Sequence, residues 1–251
     1  IILLFFITYK RPPAIKASIL IILGFILVWT PWVARNYITL GKSGDSALMI
    51  NTIQLGSYPY FMYDNDPATR GIPYQFDPHI KQEQQSMRSV LKTIAYKFST
   101  HPVEETTWYL YGKPATLWSW SVMKGGGDIF IYPVATTPYA SSHLFRVTHT
   151  IMKVLHWPII IITFLGCILI WLPMAKRLCS ENKIFALRCI SLLLFYVTAL
   201  LMIGAPLPRY AMPFLPFAYG MAIATVYFVF SFALHDRKKL IGSGQRTEWK
   251  S

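Results

Sequence analysis

The sequence predicts an all-α membrane protein: four transmembrane helices and an N-terminal helix stub, with a mixed helix/loop extracytoplasmic segment. Three observations predict it. Of 251 residues, 54% are hydrophobic and only 14% charged, and mean hydropathy is positive. The apolar residues gather in blocks close to the ~20 residues that a helix needs to cross a bilayer. The short loops between blocks carry lysine and arginine on alternate sides, as the positive-inside bias requires.

Taken in order, Ile1 to Thr8 is too short to span and reads as the tail of a helix running inward. The chain starts without Met and lacks the charged start and small-residue cleavage site of a signal peptide, so it reads as the C-terminal part of a longer protein. Tyr9 to Lys16, with Pro12-Pro13, forms a cytoplasmic turn. Ala17 to Val33 runs outward and ends at Trp29-Thr30-Pro31-Trp32, where the indoles suit the headgroup belt. Pro31 lacks an N–H and restricts Thr30, so it is expected to limit the helix there. Ile151 to Ala175 returns inward, with Trp157-Pro158 at its outer end; Ile184 to Ala205 runs outward. Pro206 to Tyr210 makes a tight outer turn, and Ala211 to Leu234 runs inward. Because lipid offers the backbone no partners, runs this apolar are helices. The organisation is a stub and first helix over 1–33, an extracytoplasmic segment over 34–150, three transmembrane helices over 151–234 and a basic cytoplasmic tail over 235–251.

A formal charge of +13 suggests a nucleic-acid ligand. Its distribution argues against one. Lys10, Arg11 and Lys16, then Lys176, Arg177 and Lys183, then Arg237, Lys238 and Lys239 all fall in inner loops or the tail. The segment 34–150 is nearly balanced, with ten basic and eight acidic residues. Cys167, Cys179 and Cys189 lie outside that segment, so it has no disulfide of its own, and neither they nor the six histidines show metal-ligand spacing.

Within the outer segment, Ile38 to Pro78 is rich in Gly, Pro, Tyr and Asp and reads as loops with short extended pieces. Lys81 to Phe98 reads as an amphipathic helix with Met87, Val90, Leu91, Ile94 and Phe98 on one stripe and Arg88, Lys92 and Lys97 elsewhere. His101-Pro102-Val103-Glu104-Glu105 starts another helix, with proline and acids where an N-terminus favours them. That helix carries Trp108, Tyr109 and Tyr111 to Gly112-Lys113-Pro114.

Few residues point to chemistry. Gly41-Lys42-Ser43 lacks the earlier glycine of a phosphate loop, and Gly125-Gly126-Gly127-Asp128 reads as a turn. Asp64, Asp66, Asp77 and Asp128 are the outer carboxylates from which a general base would come, although their Gly and Pro neighbours suit turn formers better. Tyr58, Tyr60, Phe61, Tyr63, Tyr74, Trp118 and Trp120 suit sugar stacking or an interfacial layer. Arg35 stands where lipid headgroups end, as a snorkelling cation or a phosphate ligand. Arg209 sits in an outer turn against the positive-inside bias, among Pro206, Pro208, Pro213 and Pro216. A stiff turn presenting Arg209 and Tyr210 suits a lipid phosphate, which a guanidinium binds through two parallel hydrogen bonds. Lys113 is either a solvated charge or a further phosphate contact.

These pieces assemble into a resemblance. Thr30-Pro31-Trp32-Val33-Ala34-Arg35-Asn36-Tyr37 resembles the Pro-Trp-x-x-Arg-Asn-Tyr segment of bacterial membrane glycosyltransferases of the dolichyl-phosphate-mannose protein mannosyltransferase-like superfamily, which includes the aminoarabinose transferases. His101-Pro102 followed by Lys113 and Trp118 is similar to its outer Pro…Lys…Trp spacing. Pro208-Arg209-Tyr210-Ala211-Met212-Pro213-Phe214-Leu215-Pro216 resembles its late Arg-Tyr-x-x-Pro-x-x-Pro element. The resemblance runs from about Val28 to Phe217.

It implies transfer of a sugar from a polyprenyl-phosphate-linked donor to an envelope glycan, lipid or protein acceptor, in a bacterial inner membrane with residues 34–150 facing the periplasm or exterior. It implies no cofactor and no nucleic-acid partner. Arg35 and Arg209 would hold the donor's phosphate, with Lys113 and Tyr210 in support. The family's acidic catalytic motif lies in an earlier outer loop, so the base is expected upstream of Ile1. Two rival readings are a transporter or flippase, which would need ionisable residues inside the spans and has only Arg188, and a non-catalytic glycan-binding membrane scaffold.

Overall fold

A computed structural model describes residues 11–41, 46–120, 138–178 and 180–244. The stub Ile1 to Thr8, the Lys42-Ser43 pair, Gly125 to Asp128 and Cys179 lie outside the described residues. Among the described residues all regular structure is helical. Four helices are long and apolar enough to cross a membrane, and the chain is a multi-pass membrane protein.

The first span belongs to α1 (Arg11–Leu40), which keeps nearly all its large apolar side chains exposed, from Ile15 to Ile38. Such a surface suits lipid and is unfavourable in water. Pro31 does not end this helix, contrary to the sequence expectation: the chain stays helical for nine further residues. One proline removes one i→i−4 bond, and an apolar helix long enough on both sides absorbs that loss. The segment between the first two spans is also more helical than its Gly/Pro content suggests. It contains α2 (Ser46–Gly56) and three 3₁₀ turns, at Pro59–Phe61, Pro67–Thr69 and Pro73–Gln75, each opened by a proline at its first position.

The expected helix over Lys81 to Phe98 is two helices, α3 (Ile80–Glu83) and α4 (Met87–Thr100). The break falls at Ser86, which is extended; its hydroxyl accepts from the Ser89 N–H at 3.1 Å and caps α4. The apolar stripe of α4 holds at Val90, which is buried, and at half-buried Met87, Ile94 and Phe98; Leu91 is exposed. Next, α5 (Pro102–Thr107) passes through a π-helical turn at Trp108–Gly112 into α6 (Lys113–Leu117). The wide turn has a local cause. Pro114 cannot donate and its ring crowds the carbonyl four residues back, so the Lys113 N–H bonds five residues back to the Trp108 carbonyl.

After α7 (Pro138–Ser141), the second span lies in α8 (His143–Leu169). It starts earlier and ends earlier than the expected Ile151 to Ala175, and Pro158 stands inside the helix instead of at its end. A short α9 (Ala175–Leu178) precedes the third span, α10 (Glu181–Ile203), which falls close to the expected bounds. Two 3₁₀ turns, Pro208–Tyr210 and Met212–Phe214, then lead into α11 (Leu215–Gly244), so part of the expected tail is helical.

The chain forms two compact units: Ile1–Pro133 with Val197–Ala211, and Val134–Tyr196 with Met212–Ser251. In the second unit α8 and α11 pack closely through small and hydroxylated residues, the usual device where lipid removes the hydrophobic drive. Thr163 Oγ1 donates to the Ala218 carbonyl at 2.7 Å. A Cβ on Gly166 would stand 1.7 Å from Thr225 Oγ1, which is itself held by the Met221 carbonyl at 2.7 Å. Gly166→Ala is therefore expected to cost about 1–3 kcal/mol by overpacking. Adding Thr225→Ala should recover most of it in thermal unfolding of the micelle-solubilised protein. Ser191 Oγ donates to the Cys167 carbonyl at 2.9 Å and receives the Trp171 indole N–H at 3.1 Å.

Candidate functional site

The first unit carries the residues that the sequence singles out. Its core is Phe61, Trp108 and Ala205, packed against Leu55, Tyr60, Tyr109 and Leu207. This joins the long segment between the first two spans to the end of α10. Trp108 donates its indole N–H to the Gly56 carbonyl at 2.9 Å, and Trp118 donates to Thr198 Oγ1 at 3.0 Å. Gly56 lies so near Gly204 that a Cβ on Gly56 would meet the Gly204 carbonyl oxygen at 2.0 Å.

Lys113 is fully buried in the same place. Its ammonium donates to the carbonyls of Met202 at 2.8 Å and Gly204 at 3.2 Å, and lies 3.5 Å from the centroid of the Tyr109 ring. Met202 and Gly204 stand at the C-terminal end of α10, where carbonyls lack helical partners and a cation suits the dipole. Burial pulls the Lys113 pKa down to about 7, partly opposed by Glu105. The solvated-charge reading of Lys113 thus fails, because no part of the side chain reaches solvent. Its donors serve the carbonyls at the helix end.

What Lys113 anchors is the turn that follows. α6 packs on the Pro208–Tyr210 turn, in which Pro208 and Pro206 are buried while Arg209 and Tyr210 are exposed. The Arg209 guanidinium has one aromatic neighbour, the ring of Tyr210 at 5.4 Å, and its hydrogen-bond donors are unused among the described residues. Arg35 is exposed on α1, and among the described residues its guanidinium has no hydrogen-bond, ion-pair or ring partner. Among the described residues Arg35 shares no hydrogen bond, ion pair or ring contact with Arg209. The structure brings the Lys113 and Arg209 motifs together through the packing of α6 on the Pro208–Tyr210 turn.

A second arrangement was not expected. Residues 58–105 enclose a cleft of about 310 Å³ lined by tyrosines and carboxylates. Tyr58 donates its hydroxyl to Asp77 Oδ2 at 2.5 Å, and the other Asp77 oxygen accepts from the His79 N–H at 2.8 Å. Burial, reinforced by Asp77, pushes the Tyr58 phenol far up. Lys97 donates to the Ser57 carbonyl at 3.4 Å and hydroxyl at 3.3 Å, with its ammonium 4.3 Å from the Tyr58 ring centroid. Glu83 accepts from Gln54 at 2.9 Å and Glu104 from Asn65 at 3.0 Å. Tyr60, Phe61, Asp64 and Asn65, on the loop beside the cleft, all have left-handed φ between 49° and 58°. That conformation costs non-glycine residues energy and concentrates at functional loops.

Known protein families, curated proteins and solved structures give no match to this chain.

Its chemistry is therefore read from side chains alone. Among the described residues, no group of three or more His, Cys, Asp and Glu is placed to hold a metal ion. Asp66 is a turn former, accepting from the Ala68 N–H at 2.9 Å, and Asp77 does the same for His79 besides meeting Tyr58. Asp128 lies outside the described residues. Lys97 had a signal that the apolar stripe obscured: it follows Val90 by seven residues and Ile94 by three, so it shares their face. Glu105 had none beyond its place in the first turn of a helix, because its burial depends on a partner element that the sequence does not reveal.

Proposed function

We propose that this membrane protein takes part in transfer of a sugar from a polyprenyl-phosphate donor to an envelope acceptor, with Arg209 and Tyr210 receiving the donor's phosphate. The observation that carries the reading is the exposed Arg209-Tyr210 pair on a buried, proline-stiffened turn next to the end of an apolar helix. A guanidinium with unused donors at such a position suits a lipid phosphate, whose oxygens gain charge as the glycosidic bond breaks and the bonding electrons stay with the phosphate. Fixing that cation in advance lowers the barrier without reorganisation during the reaction. In this reading Lys113 is a positioning residue that holds the turn's platform, and Arg35 serves the lipid interface from α1. The membrane is a bacterial inner membrane, with 34–150 on the outer side. For the transporter alternative the one candidate is Arg188, which donates to the Ile170 carbonyl at 3.4 Å and lies 5.0 Å from the Trp171 ring centroid, contacts that suit a structural use.

The test is transfer of radiolabelled sugar from a polyprenyl-phosphate carrier in membranes containing the full-length protein. Arg209→Ala is expected to lower turnover by about 100-fold or more, the usual effect of losing one preorganised charge partner, with Arg209→Lys recovering part of it. Unchanged transfer in a folded Arg209→Ala protein would overturn the assignment.

A further inference from the structure

We infer that the cleft between Tyr58 and Glu105 is a binding site for a small organic cation carrying a primary alkylammonium group. It is separate from the proposed phosphate site and does not depend on the transferase reading. The first observation is charge. Asp64, Asp77, Glu83, Glu104 and Glu105 line the cleft against one ammonium, that of Lys97. Among the described residues none of these carboxylates forms an ion pair. Lys97 is turned to Ser57 and the Tyr58 ring instead.

The second observation is Glu105. It is 4% exposed, lines the cleft, and its Oε2 is buried with no hydrogen-bond donor. A carboxylate oxygen taken out of water needs a donor, and Asp77, Glu83 and Glu104 have theirs in Tyr58 with the His79 N–H, Gln54 and Asn65, while Asp64 is exposed to water. Glu105 is the buried acid left without a partner, and the ligand that completes it is a donor with positive charge. A phosphate or other anion is repelled by the same acids. A divalent metal ion is disfavoured, because the acids are not gathered into a ligand set.

The third observation shows the recognition already in use. The Lys97 ammonium rests 4.3 Å from the Tyr58 centroid, so this cleft holds one alkylammonium on a tyrosine face. Tyr63 and Tyr96 line it as well and offer further faces. A volume of about 310 Å³ admits a small amine with its alkyl stem.

The experiment is titration calorimetry of the full chain in nonionic micelles with n-butylammonium chloride. n-Butanol, inorganic phosphate and calcium chloride serve as comparisons. Saturable binding of the ammonium in the millimolar range or tighter, absent for butanol and phosphate, is the expected result. Glu105→Gln keeps the side chain's shape and should weaken it at least tenfold with the unfolding temperature unchanged. Should Glu105→Gln fail to fold, Glu83→Gln is the second variant and is expected to weaken binding several-fold. Three results would overturn the proposal: butanol binding as well as the ammonium, calcium binding tighter and displacing it, or no saturable ammonium binding. Parent-like affinity in a folded Glu105→Gln protein would do so too.

Discussion

Gly56→Ala is expected to destabilise the first unit far more than Gly204→Ala does. The added Cβ would fall 2.0 Å from the Gly204 carbonyl oxygen, 2.5 Å from its carbon and 3.0 Å from the Ala205 nitrogen. All three are backbone atoms, so no side chain can swing aside. The backbone of α2 or of the α10 end must retreat instead. That retreat would pull the Gly56 carbonyl from the Trp108 indole and open the Phe61–Trp108–Ala205 core. Overpacking of this kind costs about 1–3 kcal/mol where side chains can adjust and more where they cannot, so a loss of roughly 3 kcal/mol or more is expected. Alanine's better helix propensity, worth ~1 kcal/mol over glycine, acts in the opposite sense and is outweighed. The reciprocal change discriminates. A Cβ on Gly204 meets only Thr52 Cγ2, at 3.1 Å, so Gly204→Ala should be clearly milder. Thermal unfolding of both variants in micelles, followed by tryptophan fluorescence, checks the order. Equal midpoints for the two would mean that the close approach does not hold the unit together.

Membrane class and span count were legible because they depend on composition and block length, which are properties of the chain alone. Span ends were less so. Pro31 and Pro158 both read as boundaries, yet each stands inside a helix, because the rule for proline describes one lost hydrogen bond and not the length of apolar helix ready to absorb it. The break at Ser86 was in plain view as a capping residue, but the polar run Lys81 to Gln85 has no period of its own and reads as an extension of the amphipathic stripe that starts at Met87. Of the site residues, Arg209 and Tyr210 are exposed as their turn suggests. Lys113 was not legible: a lysine among Gly and Pro reads as solvated, and only packing between residues some ninety apart reveals the two carbonyls that it serves. The Tyr58–Asp77 pair and the orphan oxygen of Glu105 are likewise products of folding, not of any spacing.

Lys113→Met should destabilise the protein by an amount that grows with pH. In the native protein the ammonium is buried and its pKa falls to about 7, against 10.5 for an unhindered lysine. Below pH 7 the native and unfolded chains both carry the proton, so the native state bears the whole desolvation cost. Between pH 7 and 10.5 the native lysine is neutral while the unfolded one is still charged. The unfolded chain then binds more protons, and stability rises with pH. At one pKa unit per 1.36 kcal/mol, the site's contribution improves by roughly 2–3 kcal/mol from pH 6 to pH 9. The neutral amine keeps two N–H donors, enough for the Met202 and Gly204 carbonyls, so the anchor survives deprotonation. Methionine fills the space but leaves both carbonyls without a donor, at about 1–3 kcal/mol for each group left buried and unpaired. Subtracting variant from parent stability at each pH cancels the titrating groups that act independently of Lys113; Glu105, which interacts with Lys113, is held neutral in both proteins by making the comparison in a Glu105→Gln background. The difference should therefore be smallest near pH 6 and widen toward pH 9. A difference that is flat over this range would show that burial does not lower the Lys113 pKa, because native and unfolded chains would then both hold the proton throughout. If the charged form were the one the fold prefers, with the Tyr109 ring and the α10 dipole outweighing burial, the difference would stay flat to pH 9 and narrow only above pH 10.5.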